Sequence, residues 1–106
     1  MKPEFLLQAR ASARAAHAGV DAALLALHER AVRAMEDPGQ REYVRSQALR
    51  RVDQWEARDL CHGSYVTTWR ELLDLPAAAL AARVLGGDTD AVALRQNSPF
   101  GFLAVP

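Results

Sequence analysis

Val20-Asp21-Ala22-Ala23-Leu24-Leu25-Ala26-Leu27-His28-Glu29-Arg30-Ala31-Val32-Arg33-Ala34-Met35-Glu36 is the stretch whose periodicity decides the fold. At about 100° per residue, Val20, Leu24, Leu27, Ala31, Ala34 and Met35 fall on one helical stripe. Leu25 and Val32 widen it, and Ala22, Ala26, Glu29, Arg30 and Arg33 form the other side. An apolar arc of roughly 200° is wider than one packing neighbour covers. This helix is therefore either central in the domain or shared with another chain. His28 lies inside the wide arc, beside Leu24, Leu25 and Val32. The expectation is a buried neutral imidazole bonded to a carbonyl, the alternative a pH-sensitive interface histidine.

Upstream, the pattern predicts a helix over Pro3–His17, with Pro3 at a first-turn position where its missing N–H costs nothing. It presents Phe5, Ala9, Ala13 and Ala16 on one edge and Arg10, Arg14 and His17 on the other. Gly19 is expected to end it, with Asp21 as the N-cap of the next helix. One unbroken helix from Pro3 to Glu36 is the rival reading.

Downstream, Asp37-Pro38-Gly39-Gln40 reads as a cap, a proline and a capping-box glutamine opening a third helix that runs to about Cys61. Gly63 is expected to close that helix in a left-handed conformation, and Ser64 to cap a fourth through Asp74. Pro76 opens a fifth that Gly86-Gly87 ends, and Asp88 caps one more turn through Leu94. Asn97-Ser98-Pro99 then breaks the chain into a charge-free tail. The expected fold is all-α: one domain over residues 1–106, an irregular bundle of about five helices with an apolar C-terminal tail. Composition agrees, since alanine, the best helix former, is abundant and β-branched residues are scattered.

The third expected helix carries the clearest polar pattern. Val44, Ala48, Val52 and Trp55 form its apolar stripe, with Glu42, Asp53 and Glu56 on one flank. The other flank holds Gln47, Arg50, Arg51, Gln54 and Arg58. Arginine forks donate in pairs, so Arg50, Arg51 and Arg58 are the candidates for phosphate contact in a nucleic-acid-associated or antitoxin-like regulator. A solvated face, or salt bridges to neighbouring helices, is the ordinary account of such a row. With 13 basic and 13 acidic residues the formal net charge is zero. That favours neither a nucleic acid nor a strongly charged partner, and it offers no repulsion between copies.

Chemistry-bearing groups are sparse. Tyr65, Trp69, Leu72 and Leu73 read as an aromatic core stripe in which the phenol and indole need partners. Thr67-Thr68-Trp69-Arg70 opens like a recognition helix, but Arg70 is its only cation. Cys61 is the single cysteine, which excludes an internal disulfide and fits a reducing compartment. It sits near a helix C-terminus, where the dipole opposes a thiolate, and no second cysteine or paired histidine joins Cys61-His62 in a metal set. No catalytic residue, cofactor or metal is nominated. The N-terminus does not read as a signal peptide, no run approaches a membrane span, and the expected location is cytoplasmic.

Trp69-Arg70-Glu71-Leu72-Leu73 and Ala93-Leu94-Arg95-Gln96-Asn97-Ser98-Pro99-Phe100 together resemble the closing part of small all-helical proteobacterial proteins that share a Leu-Arg-Gln-Asn-Ser-Pro-Phe segment. The resemblance covers about the last third of the chain. It implies a helical fold and a bacterial origin, and carries no activity, cofactor or site residue. Physically, Arg95 and Asn97 can satisfy terminal carbonyls, and Pro99 holds Ser98 extended. The segment either folds Phe100 and Phe102 back onto the bundle, or offers Arg95, Gln96, Asn97, Phe100 and Phe102 to a partner. The functional expectation is a non-enzymatic protein-interaction module, homodimeric through the second expected helix, the tail or both. An enzyme with an unrecognised site is the remaining alternative.

Overall fold

The computed structural model describes residues 3–104, with side chains from residue 18 onward. Five α-helices and a 3-10 turn follow one another: α1 (Pro3–Glu36), α2 (Arg41–Arg58), α3 (Gly63–Leu73), α4 (Ala77–Val84), α5 (Thr89–Gln96) and the turn Gly101–Leu103. The all-α bundle is as the sequence predicts, but its partition differs. The expected break at Gly19 is absent and α1 runs through it, with Asp21 inside the helix rather than capping one. A lone glycine costs a helix about 1 kcal/mol, which a continuous alanine-rich flank on both sides outweighs. The faces expected of Phe5, Ala9, Arg10, Ala13, Arg14, Ala16 and His17 concern side chains outside the described ones.

The other boundaries shift for local reasons. Asp37 holds the turn before α2, its carboxylate accepting from the Gly39 N–H at 2.8 Å and from the Gln40 amide at 2.9 Å, but the N-cap of α2 is Gln40 with no side-chain cap bond, so the expected capping box does not form. The third expected helix stops at Arg58, and the left-handed residue that closes it is Asp59 (φ 52°, ψ 44°), not Gly63. Aspartate tolerates that region better than most residues. Gly63 instead begins α3, and the cap is His62, whose Nδ1 accepts from the Ser64 N–H at 3.1 Å. Asp88 caps α5 as expected, but the helix continues to Gln96.

α1 is central: it packs against α2, α4, α5 and the 3-10 turn. α2 and α3 pair along the side, and α4 bridges α3 and α5. The core comprises Ala31, Val32, Ala34 and Met35 of α1, Val44, Ala48 and Val52 of α2, Val66, Trp69, Leu72 and Leu73 of α3, Leu80 and Val84 of α4, Ala91 and Leu94 of α5, and Phe100. The stripes read from sequence on α2 and α3 are the ones buried, although Trp55 and Tyr65 only border the core.

The molecule measures 55 × 30 × 27 Å, and its radius of gyration of 16.3 Å exceeds the roughly 13 Å of a compact domain this size. α1 explains the difference, since a helix of its 34 residues is about 51 Å long. Among its described side chains, burial begins only at His28. Val20 is 57% exposed, and Leu24, Leu25 and Leu27 are half-buried.

Candidate functional site

Two places combine unusual chemistry with position: a buried polar knot that ties the tail to α1, and the apolar face of α1 beside that tail.

The knot is built on His28, fully buried on α1. Its Nδ1–H donates to the Leu24 carbonyl at 2.7 Å, which leaves Nε2 as an acceptor, and the Ser98 hydroxyl donates to it at 2.6 Å. The same hydroxyl oxygen accepts the Phe100 N–H at 3.1 Å. The Phe100 ring meets the imidazole edge-on at 5.8 Å between centroids and the Trp69 ring at 5.6 Å. The Trp69 indole N–H donates to the Asn97 carbonyl at 2.6 Å. Burial holds the His28 pKa below its ordinary value of 6.5, and the nearby Arg95 charge adds to the fall, against the opposing pull of the Leu24 bond. The buried neutral histidine read from the sequence is thus present. Its partner Ser98 left no signal in the sequence, because nothing in helical periodicity reports a hydrogen bond between segments 70 residues apart.

A serine hydroxyl on a histidine nitrogen invites comparison with an activated nucleophile. The surroundings favour holding over reacting. A backbone carbonyl, not a carboxylate, stands behind the imidazole, so an imidazolium would lack the charge that stabilises it in a catalytic triad. Arg95 disfavours the same cation, and the hydroxyl oxygen is already engaged by the Phe100 N–H.

The residues expected to form a recognition edge are placed as follows. Phe100 is fully buried and Arg95 is 7% exposed. The Arg95 guanidinium donates to the Val84 carbonyl at 2.8 Å and the Gly86 carbonyl at 2.7 Å, closing the C-terminus of α4, where a cation suits the helix dipole. The Asn97 amide donates to the Ala93 carbonyl at 3.0 Å and caps its own helix. Gln96 is exposed, while Asn97 and Phe102 are half-buried. The tail therefore packs in cis, and Arg30 fastens it further by donating to the Leu103 carbonyl at 2.8 Å.

The second place lies beside that fastening. Val20, Ala23, Leu24, Leu27 and Ala104 line an apolar groove of about 450 Å³, with Arg30 at its edge. It was legible only in part, as the excess width of the apolar arc.

On α2, Arg50, Arg51 and Arg58 are exposed, and none pairs with an acid among the described residues. The acidic flank is engaged instead: Arg70 of α3 binds Glu56 at 3.0 Å and Asp53 at 2.9 Å. Its hydrogen bonds and charge lower the Glu56 pKa. The cation of the recognition-like Thr67-Thr68-Trp69-Arg70 segment is thereby committed within the molecule. A polar cleft of about 300 Å³ between α3, α4 and α5 includes Ser64, Thr68, Arg83 and Asp90. No group of three metal-ligating side chains occurs among the described residues, and no described helix is long and apolar enough to cross a membrane. No family model, curated protein or solved structure matches the chain.

Proposed function

We propose that this chain is a non-enzymatic protein-interaction module that works as a homodimer, and that α1 supplies the docking face. The observation that carries this reading is the groove along Val20, Ala23, Leu24 and Leu27, an apolar surface continuous with the stripe that builds the core. Water-exposed apolar area of this kind is stabilised when another surface covers it, at roughly 25 cal/mol per Å² buried. A second copy suits the face because the chain has zero formal net charge and so does not repel itself. The tail edge at Ala104 forms one wall of the groove, so the second expected helix and the tail contribute together.

Sedimentation equilibrium of the full chain tests the reading. A dimer is expected at micromolar concentration, converted to a helical monomer by Val20→Glu combined with Ala23→Glu, two exposed positions whose change leaves the core intact. A wild-type monomer at several hundred micromolar would overturn it.

A further inference from the structure

α2 sorts its charges by side. At about 100° per residue, Tyr43, Gln47, Arg50, Arg51, Gln54 and Arg58 fall within one arc of roughly 100°, which no other residue of the helix shares. Tyr43 is 65% exposed, Gln54 and the three arginines are exposed, and Gln47 is half-buried. From residue 43 to residue 58 this lane runs about 22 Å along the helix. The acids of α2, Glu42, Asp53 and Glu56, lie outside it, and the last two hold Arg70 of α3.

Its composition separates the lane from an ordinary solvated face. A solvated helix gains from an acid three or four residues away from each arginine. Gln47 stands three residues before Arg50 and four before Arg51. Gln54 stands four after Arg50, three after Arg51 and four before Arg58. Both have the shape of glutamate without its charge. The three guanidinium groups are thus left in one row with no acid partner among the described residues. Elsewhere the fold engages its arginines: Arg30, Arg41, Arg45, Arg70 and Arg95 all donate to carbonyls or carboxylates.

Such a lane complements carboxylates. A guanidinium fork takes a carboxylate in paired hydrogen bonds, and the glutamine amides between the arginines donate to the same group. Arg50 and Arg58 lie about 12 Å apart along the axis, the spacing of acids two turns apart on a facing helix. Phosphate polymers fit less well. Zero formal net charge gives no field to gather a dense polyanion. Single strands need aromatic rings to stack on, and the lane has Tyr43 alone, at one end. We infer that the α2 lane docks an acidic helix of another protein, one whose carboxylates recur on a single face over two turns or more. The lane shares no residue with the α1 groove, so this contact stands whether or not the chain pairs with itself.

An alanine-based helical peptide with glutamates on one face, labelled with fluorescein, tests the assignment by anisotropy. The full chain should bind it with a dissociation constant below about 100 µM at low salt and release it as salt rises. The same peptide with glutamines in place of the glutamates should not bind. Two charge-matched variants then locate the contact: Gln54→Glu and Arg83→Gln each lower the net charge by one, at exposed positions of α2 and α4. The first supplies the absent acid to Arg50, Arg51 and Arg58. It should weaken binding about tenfold while the melting temperature stays equal or rises. The second should change binding less than twofold. Equal effects of the two variants would reduce the binding to diffuse attraction, and no binding by wild type at several hundred micromolar would remove the surface. Tighter binding of single-stranded polyuridylate, weakened by Gln54→Glu, would assign the lane to nucleic acid. Each of these three results overturns the inference.

Discussion

The imidazole of His28 and the hydroxyl of Ser98 meet at 2.6 Å across 70 residues of sequence, and this bond joins the central helix to the start of the tail. The hydroxyl satisfies two groups at once, Nε2 on one side and the Phe100 N–H on the other. Removing it leaves a buried acceptor and a buried donor unpaired, each costing about 1–3 kcal/mol. Ser98→Ala should therefore lower stability by about 2–6 kcal/mol in urea denaturation, with the m-value unchanged. A midpoint identical to wild type would show that water replaces the hydroxyl.

His28 should also make stability depend on pH. Its folded pKa lies below the ordinary 6.5, because burial disfavours the imidazolium. Between the folded value and 6.5 the unfolded chain binds more protons, so stability rises with pH there. Its contribution is fully present above about pH 6.5 and is lost progressively as pH falls toward the folded pKa. Melting temperature should thus drop between pH 7.5 and pH 5 more steeply in wild type than in His28→Gln. Equal slopes for the two proteins would remove His28 as the cause.

Phe100 should behave as a core residue although it lies in the tail. It is fully buried against His28 and Trp69, and its truncation to alanine opens a cavity. Such losses cost about 3–5 kcal/mol, a large part of the 5–15 kcal/mol typical of a domain. Phe102→Ala, at a half-buried position, should cost less. Urea midpoints of the two variants give the comparison, and equal midpoints would contradict the placement of Phe100.

The α2 arginines should leave nucleic acid largely alone. Arg50, Arg51 and Arg58 are exposed and carry no described acid partner, but the chain as a whole is neutral, and a short row releases few counterions. Fluorescence anisotropy with duplex DNA and with RNA should show no submicromolar binding near 150 mM salt. Tight binding abolished by Arg50→Ala and Arg51→Ala together would establish the regulator instead.

What the amino-acid sequence determined by itself was the helical class and the buried face of most helices. Those rest on local terms, such as alanine content, the spacing of Val44, Ala48 and Val52, and the cap at Asp88, that act within a few residues. It also marked His28 as buried and the α1 arc as too wide for one neighbour. The tertiary structure decided whether Gly19 breaks a helix, since a penalty near 1 kcal/mol is settled by everything around it. It decided that Arg95 closes α4 rather than its own helix, and that Ser98 meets His28. A stripe reports that a face is covered but not by what. Side-chain bonds between distant segments form only once packing has brought their ends together, and no periodicity in the chain encodes them.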